Sequence, residues 1–217
     1  MKDKAEQARR RLIDRLRREI DDLGVVEAME RVRRELFVAP SLAHLAYDDA
    51  PLPIGEGQTI SQPYIVAVMV SALELRRTDS VLEVGTGSGY QTAIIAELAR
   101  RVVTVERIGT LAESAADRLK ALGYANVEVH RAECALGWSS EGPYNGIIVA
   151  AGAPVLPRGL MQDLAPGGRL IVPVGSRHAQ ELMKVTRTAD SFSIKTLGPC
   201  RFVPLVGEQA WPEETSE

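Results

Sequence analysis

An α/β sandwich around a mostly parallel sheet is the fold class this sequence predicts, and two observations predict it. Short apolar runs bounded by turn residues alternate with stretches of helical periodicity. The first of the central runs, Val81-Leu82-Glu83-Val84, flows into Gly85-Thr86-Gly87-Ser88-Gly89, and an alanine-rich helix pattern follows through Ala93, Ile94, Ile95, Ala96 and Leu98. Strand, glycine turn and helix in that order form the first half of a nucleotide-binding unit.

Residues 1–23 read as a charged helix, with Leu12, Ile13, Leu16 and Ile20 at helical spacing and Gly24 as its stop. A second helix is expected from Val25 to Leu36, with Val26, Met29, Val32 and Leu36 as its apolar side and Pro40 ending it. Residues 41–63 hold several turn formers and little periodicity, which predicts a long irregular loop packed on the domain; such loops in compact domains are functional or disordered. Ser61 and Pro63 then open a helix that runs to Leu75. The Ser61 hydroxyl reads in two ways, as a simple helix cap or as a group presented to a ligand.

Beyond the glycine turn, Val102–Glu106 is the second strand of the core, Gly109–Leu122 a helix closed by Gly123, and Val127–His130 the third strand. Tyr144–Ala150 is a fourth strand, apolar enough to be covered on both faces. The small-residue loop Gly152–Pro157 faces the crevice that ligands occupy in such sheets. A short helix over Leu160–Leu164 and a turn at Pro166-Gly167-Gly168 lead to a fifth strand, Arg169–Val174. Glu181–Arg187 and Phe192–Leu197 are strands joined by a Thr188–Ser191 turn, and Arg201–Leu205 is expected to be the last. The tail after Trp211 is acidic and expected to fray.

A chain of 217 residues is one domain by size, here split into N-terminal helices and a substrate loop over 1–75 and an α/β core with C-terminal strands over 76–217. A net charge of −3 leaves no electrostatic footprint for nucleic acid. The basic clusters Arg9-Arg10-Arg11 and Arg17-Arg18 sit among acids and read as a solvated helix face. Two cysteines, Cys134 and Cys200, form no metal-ligand pattern, so no metal is expected and a reduced cytoplasmic setting is the default. The charged N-terminus has no apolar signal-peptide core, and no run reaches membrane-spanning length. A monomer is expected.

The glycine spacing narrows the ligand. G-x-G-x-G with Tyr90 in place of a third dinucleotide glycine favours S-adenosylmethionine over NAD or FAD, and no Walker-type lysine motif is present. Gly85 and Gly87 let the backbone turn sharply and approach a ligand, while Gly89, counted with them in the cofactor loop, lets the helix start lie against the strand. Glu106 lies roughly 20 residues past the loop, where a ribose-binding acid belongs. Glu133, beyond the third strand, suits an adenine amino group, and Glu83 completes the acids counted with the cofactor. His130 reads as structural, since nothing near it in sequence forms a triad.

These residues resemble the protein-L-isoaspartate O-methyltransferase family. The likeness is carried by Gly57-Gln58-Thr59-Ile60-Ser61-Gln62-Pro63, by Val81 through Tyr90 and by Arg201-Phe202-Val203-Pro204-Leu205, with Gly137-Trp138 and Leu164-Ala165-Pro166-Gly167-Gly168 between them. The resemblance implies a Rossmann-like S-adenosylmethionine-dependent methyltransferase fold. It implies methyl transfer to the free α-carboxylate of isoaspartyl residues in damaged proteins or peptides, with S-adenosylhomocysteine as product and repair through a succinimide. It makes Ser61 the active-site serine. It places Thr59, Ile60, Gly85, Gly87 and Ser88 around cofactor and substrate, and Glu106 on the ribose. The family pattern has Gly-Asp-Gly where this chain has Ala132-Glu133-Cys134, an Asp where Asn145 stands, and a small hydroxyl residue where Ala150 stands. Two other readings remain open at this point: a carboxyl methyltransferase for an aspartate or terminal carboxylate of one dedicated peptide, and a binding module of the same fold without activity.

Overall fold

The structure, a computed structural model, describes residues 2–132 and 136–212. Glu133 and Cys134, and the acidic tail after Pro212, lie outside the described residues.

Helix α1 (Lys2–Glu19) buries Leu12, Ile13 and Leu16, the face its periodicity predicts. It stops before Gly24, because Asp22 starts a new helix: the Asp22 carboxylate accepts the Val25 amide at 3.2 Å and caps α2 (Leu23–Arg31). Gly24 is therefore inside α2 and is no stop signal. α2 is also shorter than its pattern suggests. It gives way at an extended Val32 to a 3-10 turn over Arg34–Phe37, which buries Arg34 and Phe37 and leaves Leu36 exposed. Pro40 begins a second 3-10 turn, Pro40–Leu45, instead of ending a helix.

The expected irregular loop carries a hairpin. β1 (Leu52–Gly55) pairs antiparallel with β2 (Gln58–Ile60), matching Leu52 to Ile60 and Pro53 to Thr59. Glu56 at φ 51° and Gly57 at φ 68° make the two-residue connection, the positive-φ pair that a right-twisted hairpin requires. α3 (Pro63–Ala72) follows, with Pro63 in its first turn.

The core sheet comprises β3 (Ser80–Val84), β4 (Arg101–Glu106), β5 (Val127–Arg131), β6 (Tyr144–Val149), β7 (Leu164–Gly175), β8 (Gln180–Arg187) and β9 (Phe192–Cys200). Their spatial order is β5-β4-β3-β6-β7-β8-β9. Pairings from β5 through β7 are parallel; β8 and β9 extend the sheet antiparallel. Helices α4 (Tyr90–Ala96), α5 (Gly109–Ala121) and α6 (Arg158–Gln162) make the crossovers. Successive residues of β3 point to opposite faces: Val81 joins the core shared with α1–α4, and Leu82 joins the core shared with α6. The chain runs outward from β3 to β5 and then crosses back to β6 on the other side of β3. That reversal opens a crevice between the C-terminal ends of β3 and β6.

Arg201–Leu205 is not a strand. It runs beside the loop after β6 through an isolated bridge between Gly152 and Pro204, since proline has no N–H with which to continue a ladder, and its Phe202 amide donates to Gln180 Oε1 of β8 at 2.8 Å. The bridge is held by Gly152 N donating to Val203 O and Leu205 N donating to Gly152 O, at 2.8 and 2.9 Å. Among the described residues no helix is long and apolar enough to cross a membrane.

Candidate functional site

A cavity opens at the crevice, and strand ends position its walls. Its floor is Val84-Gly85-Thr86-Gly87-Ser88, leaving β3. One side is Glu106 and Ile108 at the end of β4; another is Ala150 and Ala151 after β6. The hairpin and the segment after it, Gln58 through Ser61, close the cavity from above, and Val203–Val206 completes the rim.

The glycines work as their backbone angles require. Gly85 sits at φ 95° with Ala150 Cβ 3.4 Å from the place its own Cβ would take, and Gly87 sits at φ 52° against Ile54 of the hairpin. Gly89, expected at the ligand, is outside the cavity wall. At φ 85° it lets Leu119 of α5 approach to 3.2 Å of a would-be Cβ, so it packs the helix start against α5 and not against the strand. The Ser88 carbonyl is held from the same side by Arg118 Nη1 at 2.8 Å.

Glu106 reaches back across the loop. One carboxylate oxygen accepts the Gly87 amide at 2.9 Å and the other accepts the Ile108 amide at 3.0 Å. Each oxygen keeps a further lone pair, and the residue lines the cavity, so the pair of sugar hydroxyls that a nucleoside cofactor brings has acceptors waiting. With the glycine turn beneath, the donor set fits the adenosyl cofactor predicted from the spacing. Glu133, expected on the adenine, lies outside the described residues.

Glu83 does not face this cavity, and that corrects its expected place among the cofactor ligands. Its side chain is fully enclosed behind the loop. It takes hydrogen bonds from Gln91 Nε2 at 2.9 Å, Thr104 Oγ1 at 2.7 Å and Thr92 Oγ1. Burial pushes its carboxyl up to about 7 against the pull of those three donors. Glu83 therefore ties β3, β4 and α4 together under the glycine turn. The alternation of β3 shows why: Val84 is the residue that reaches the cavity, and Glu83 points the other way.

Ser61 lies in the cavity wall with Thr59 and Ile60. It does not cap α3. The N-cap is Gln62, and the amide of Tyr64 is taken by Asp49 Oδ1 at 2.9 Å. Asp49 Oδ2 meanwhile accepts from Gln62 Nε2 and pairs with Arg15, both at 2.9 Å. The cap reading of Ser61 thus fails, and its hydroxyl has no hydrogen-bond partner among the described residues. Behind it, Arg34 Nη2 donates to the Ser61 carbonyl at 3.0 Å. Sequence reasoning missed Arg34, which sits in a run of charge that resembles any solvated helix face. It also missed Tyr90, Ile108 and Val206, which line the cavity.

Two departures from the family pattern find a place here. Asn145 Oδ1 accepts the Ser80 amide at 3.0 Å, a task open to any side chain with a carbonyl-type oxygen. Ala150 supplies the small wall beside Gly85. His130 stacks on Trp138 at 4.2 Å and 13°, a packing role as expected. Among the described residues no cluster of potential metal ligands occurs.

The chain matches a family model, protein-L-isoaspartate(D-aspartate) O-methyltransferase, over residues 7–210. A protein-L-isoaspartate O-methyltransferase of Syntrophus aciditrophicus is 49% identical over 216 residues, covering 97% of this chain and 99% of that one. One of Trichlorobacter lovleyi is 50% identical over 207 residues, with 94% and 95% covered. Among solved structures, one titled protein-L-isoaspartate O-methyltransferase superposes with a TM-score of 0.82 at 26% identity, over 93% of this chain and 67% of the other. A second, a Plasmodium falciparum protein described as a putative enzyme of this kind in complex with S-adenosyl-L-homocysteine, gives 0.75 at 26% identity, over 88% and 95%.

Proposed function

The chain belongs to the protein-L-isoaspartate O-methyltransferase family, and we infer that it methylates the free α-carboxylate of isoaspartyl residues in damaged proteins and peptides. S-adenosylmethionine is the cofactor; it supplies a methyl group on a positive sulfur. The fold is the Rossmann-like methyltransferase sandwich.

The chemistry asks little acid–base work of the protein. A free α-carboxylate, with a pKa of roughly 3.5, is already ionised at neutral pH, so no general base has to remove a proton. The site agrees: His130 is stacked on Trp138, and among the described residues the cavity lining holds no histidine or lysine to make Ser61 a nucleophile. What remains is alignment and exclusion of water. Alignment of two reactants is worth up to about 7–11 kcal/mol in favourable cases. Excluding water also removes the shell that stabilises separated charge before reaction. Thr59, Ile60 and Ser61 close the acceptor side, and the Ser61 hydroxyl, free of any cap duty, donates to the acceptor carboxylate and orients it. Gly85, Gly87 and Ser88 seat the cofactor's amino-acid part, and Glu106 takes the ribose hydroxyls.

The observation that carries this reading is the convergence of Ser61 and the Glu106-braced glycine turn on one cavity. We also read the chain as a single domain, since one core joins α1 to the central sheet. We place it in the cytoplasm as a monomer that binds neither nucleic acid nor membrane; among the described residues Cys200 forms no disulfide, which suits a reducing compartment, and the net charge of −3 suits the lack of a nucleic-acid partner.

Radiolabelled methyl transfer to an isoaspartyl peptide, with its aspartyl twin as control, tests the function. Base-labile label on the isoaspartyl peptide alone is expected; equal labelling of both, or of neither, overturns it.

A further inference from the structure

We propose that Arg34 is a positioning residue for the acceptor, holding Ser61 at the angle from which its hydroxyl meets the incoming carboxylate. The proposal rests on the role given to Ser61 above.

The Arg34 guanidinium is fully buried, yet no carboxylate pairs with it among the described residues. Its Nη donors go to backbone carbonyls of the acceptor-side segment, while Nε, also buried, has no partner among the described residues. Nη1 donates to Ala46 O at 2.6 Å and, longer, to Asp48 O at 3.4 Å; Nη2 donates to Ala50 O and Ser61 O, both at 3.0 Å. One planar fork thus gathers both ends of the stretch that carries the hairpin and finishes on the carbonyl of Ser61 itself. Above the fork lies the ring of Tyr90, 5.8 Å from the guanidinium carbon, and Tyr90 lines the cavity. Phe37 closes against the same ring edge-on at 5.6 Å.

Burying a guanidinium without a carboxylate partner is costly, and an apolar side chain of similar volume would fill the same space at lower cost. The fork adds direction. Its Nη donors lie in a fixed plane, so four carbonyls on two stretches of chain, residues 46–50 and Ser61, are set relative to one another and to Tyr90. A lysine has three donors on one nitrogen and cannot span the two sides of that arrangement. Asp49 works from the other flank through Gln62 and the Tyr64 amide. Ser61 is therefore fixed on both sides through its backbone while its hydroxyl stays unengaged.

The test is a double-mutant cycle with Arg34→Lys and Ser61→Ala, read as kcat and KM for an isoaspartyl peptide. Calorimetric affinity for S-adenosylhomocysteine and the melting temperature are measured beside them. Arg34→Lys is expected to fold, to hold the cofactor product within about twofold, and to lose about tenfold or more in kcat/KM. In the Ser61→Ala background the same change is expected to cost less than about twofold, because the group it positions is gone. Equal losses in both backgrounds, or a parallel loss of cofactor affinity, overturn the proposal. Arg34→Gln is the second variant; if neither folds, Arg34 is a structural residue and the proposal falls. If Ser61→Ala alone leaves turnover intact, the reading of Ser61 falls first, and Arg34 has nothing to position.

Discussion

Asp49 accepts the Tyr64 amide at 2.9 Å from 15 positions upstream, so the helix after Ser61 is capped from outside its own segment. The arrangement predicts that Asp49→Ala frays the first turn of α3. Loss of a helix cap costs about 1 kcal/mol. In a chain of this size that is a melting-temperature drop of roughly 2–4 °C. KM for an isoaspartyl peptide is expected to rise, since Gln62 and Ser61 lose their anchor. Thermal denaturation and steady-state assays check both, and an unmoved melting temperature contradicts the capping role.

Ser61→Ala removes a hydroxyl at the acceptor wall that no described residue engages. Hydrogen bonds to charged groups are worth roughly 1.5–3 kcal/mol, so turnover is expected to fall by about 10- to 100-fold. Cofactor affinity, measured by calorimetry with S-adenosylhomocysteine, should change little. Unchanged turnover removes Ser61 from the active site.

Glu106→Gln keeps the shape but replaces one acceptor oxygen with a donor. That donor then faces an amide N–H, Gly87 or Ile108, that the carboxylate now satisfies. Weakening of S-adenosylhomocysteine binding by roughly 1–3 kcal/mol is expected. Calorimetry reads it directly, and an unaltered affinity shows that the carboxylate is spent wholly on the loop.

Glu83 predicts a pH dependence of stability. Its carboxyl is pushed from the ordinary 4.5 up to about 7, chiefly by burial. Between those values the unfolded chain has released the proton while the folded chain still holds it. Stability from this residue therefore falls as pH rises through that window and levels off above it. The size is on the order of a few kcal/mol. Glu83→Gln removes the titration, so its stability relative to the parent should climb from pH 5 to pH 7 and then stop climbing. Denaturant midpoints across pH 5–8 check this; a constant difference refutes it.

The parallel core was legible because its strands are apolar runs with a period of their own, and because a glycine turn between strand and helix has few alternatives. What sequence hid was tertiary. The Glu56-Gly57 turn lacks the Asn or Asp that advertises a tight hairpin, so β1 and β2 read as loop. Arg34 looks like its charged neighbours, and only folding decides that it goes inward. Glu83 stands just before the glycines and counts among the acids expected at the cofactor, although the alternation of a strand puts its side chain on the face opposite to Val84. Asp49 shows the same limit, because a cap supplied from another segment leaves no local signature at α3.

The Thr110 hydroxyl donates to the Glu56 carboxylate at 3.1 Å, fastening the hairpin tip to the start of α5. On the proposed function the acceptor wall otherwise comes from residues before Pro63 and the donor seat from residues after Val81, so the two recognition tasks occupy separate stretches of the gene. Selection can then retune which damaged peptides are admitted by altering the first stretch, while the second continues to hold an unchanging metabolite.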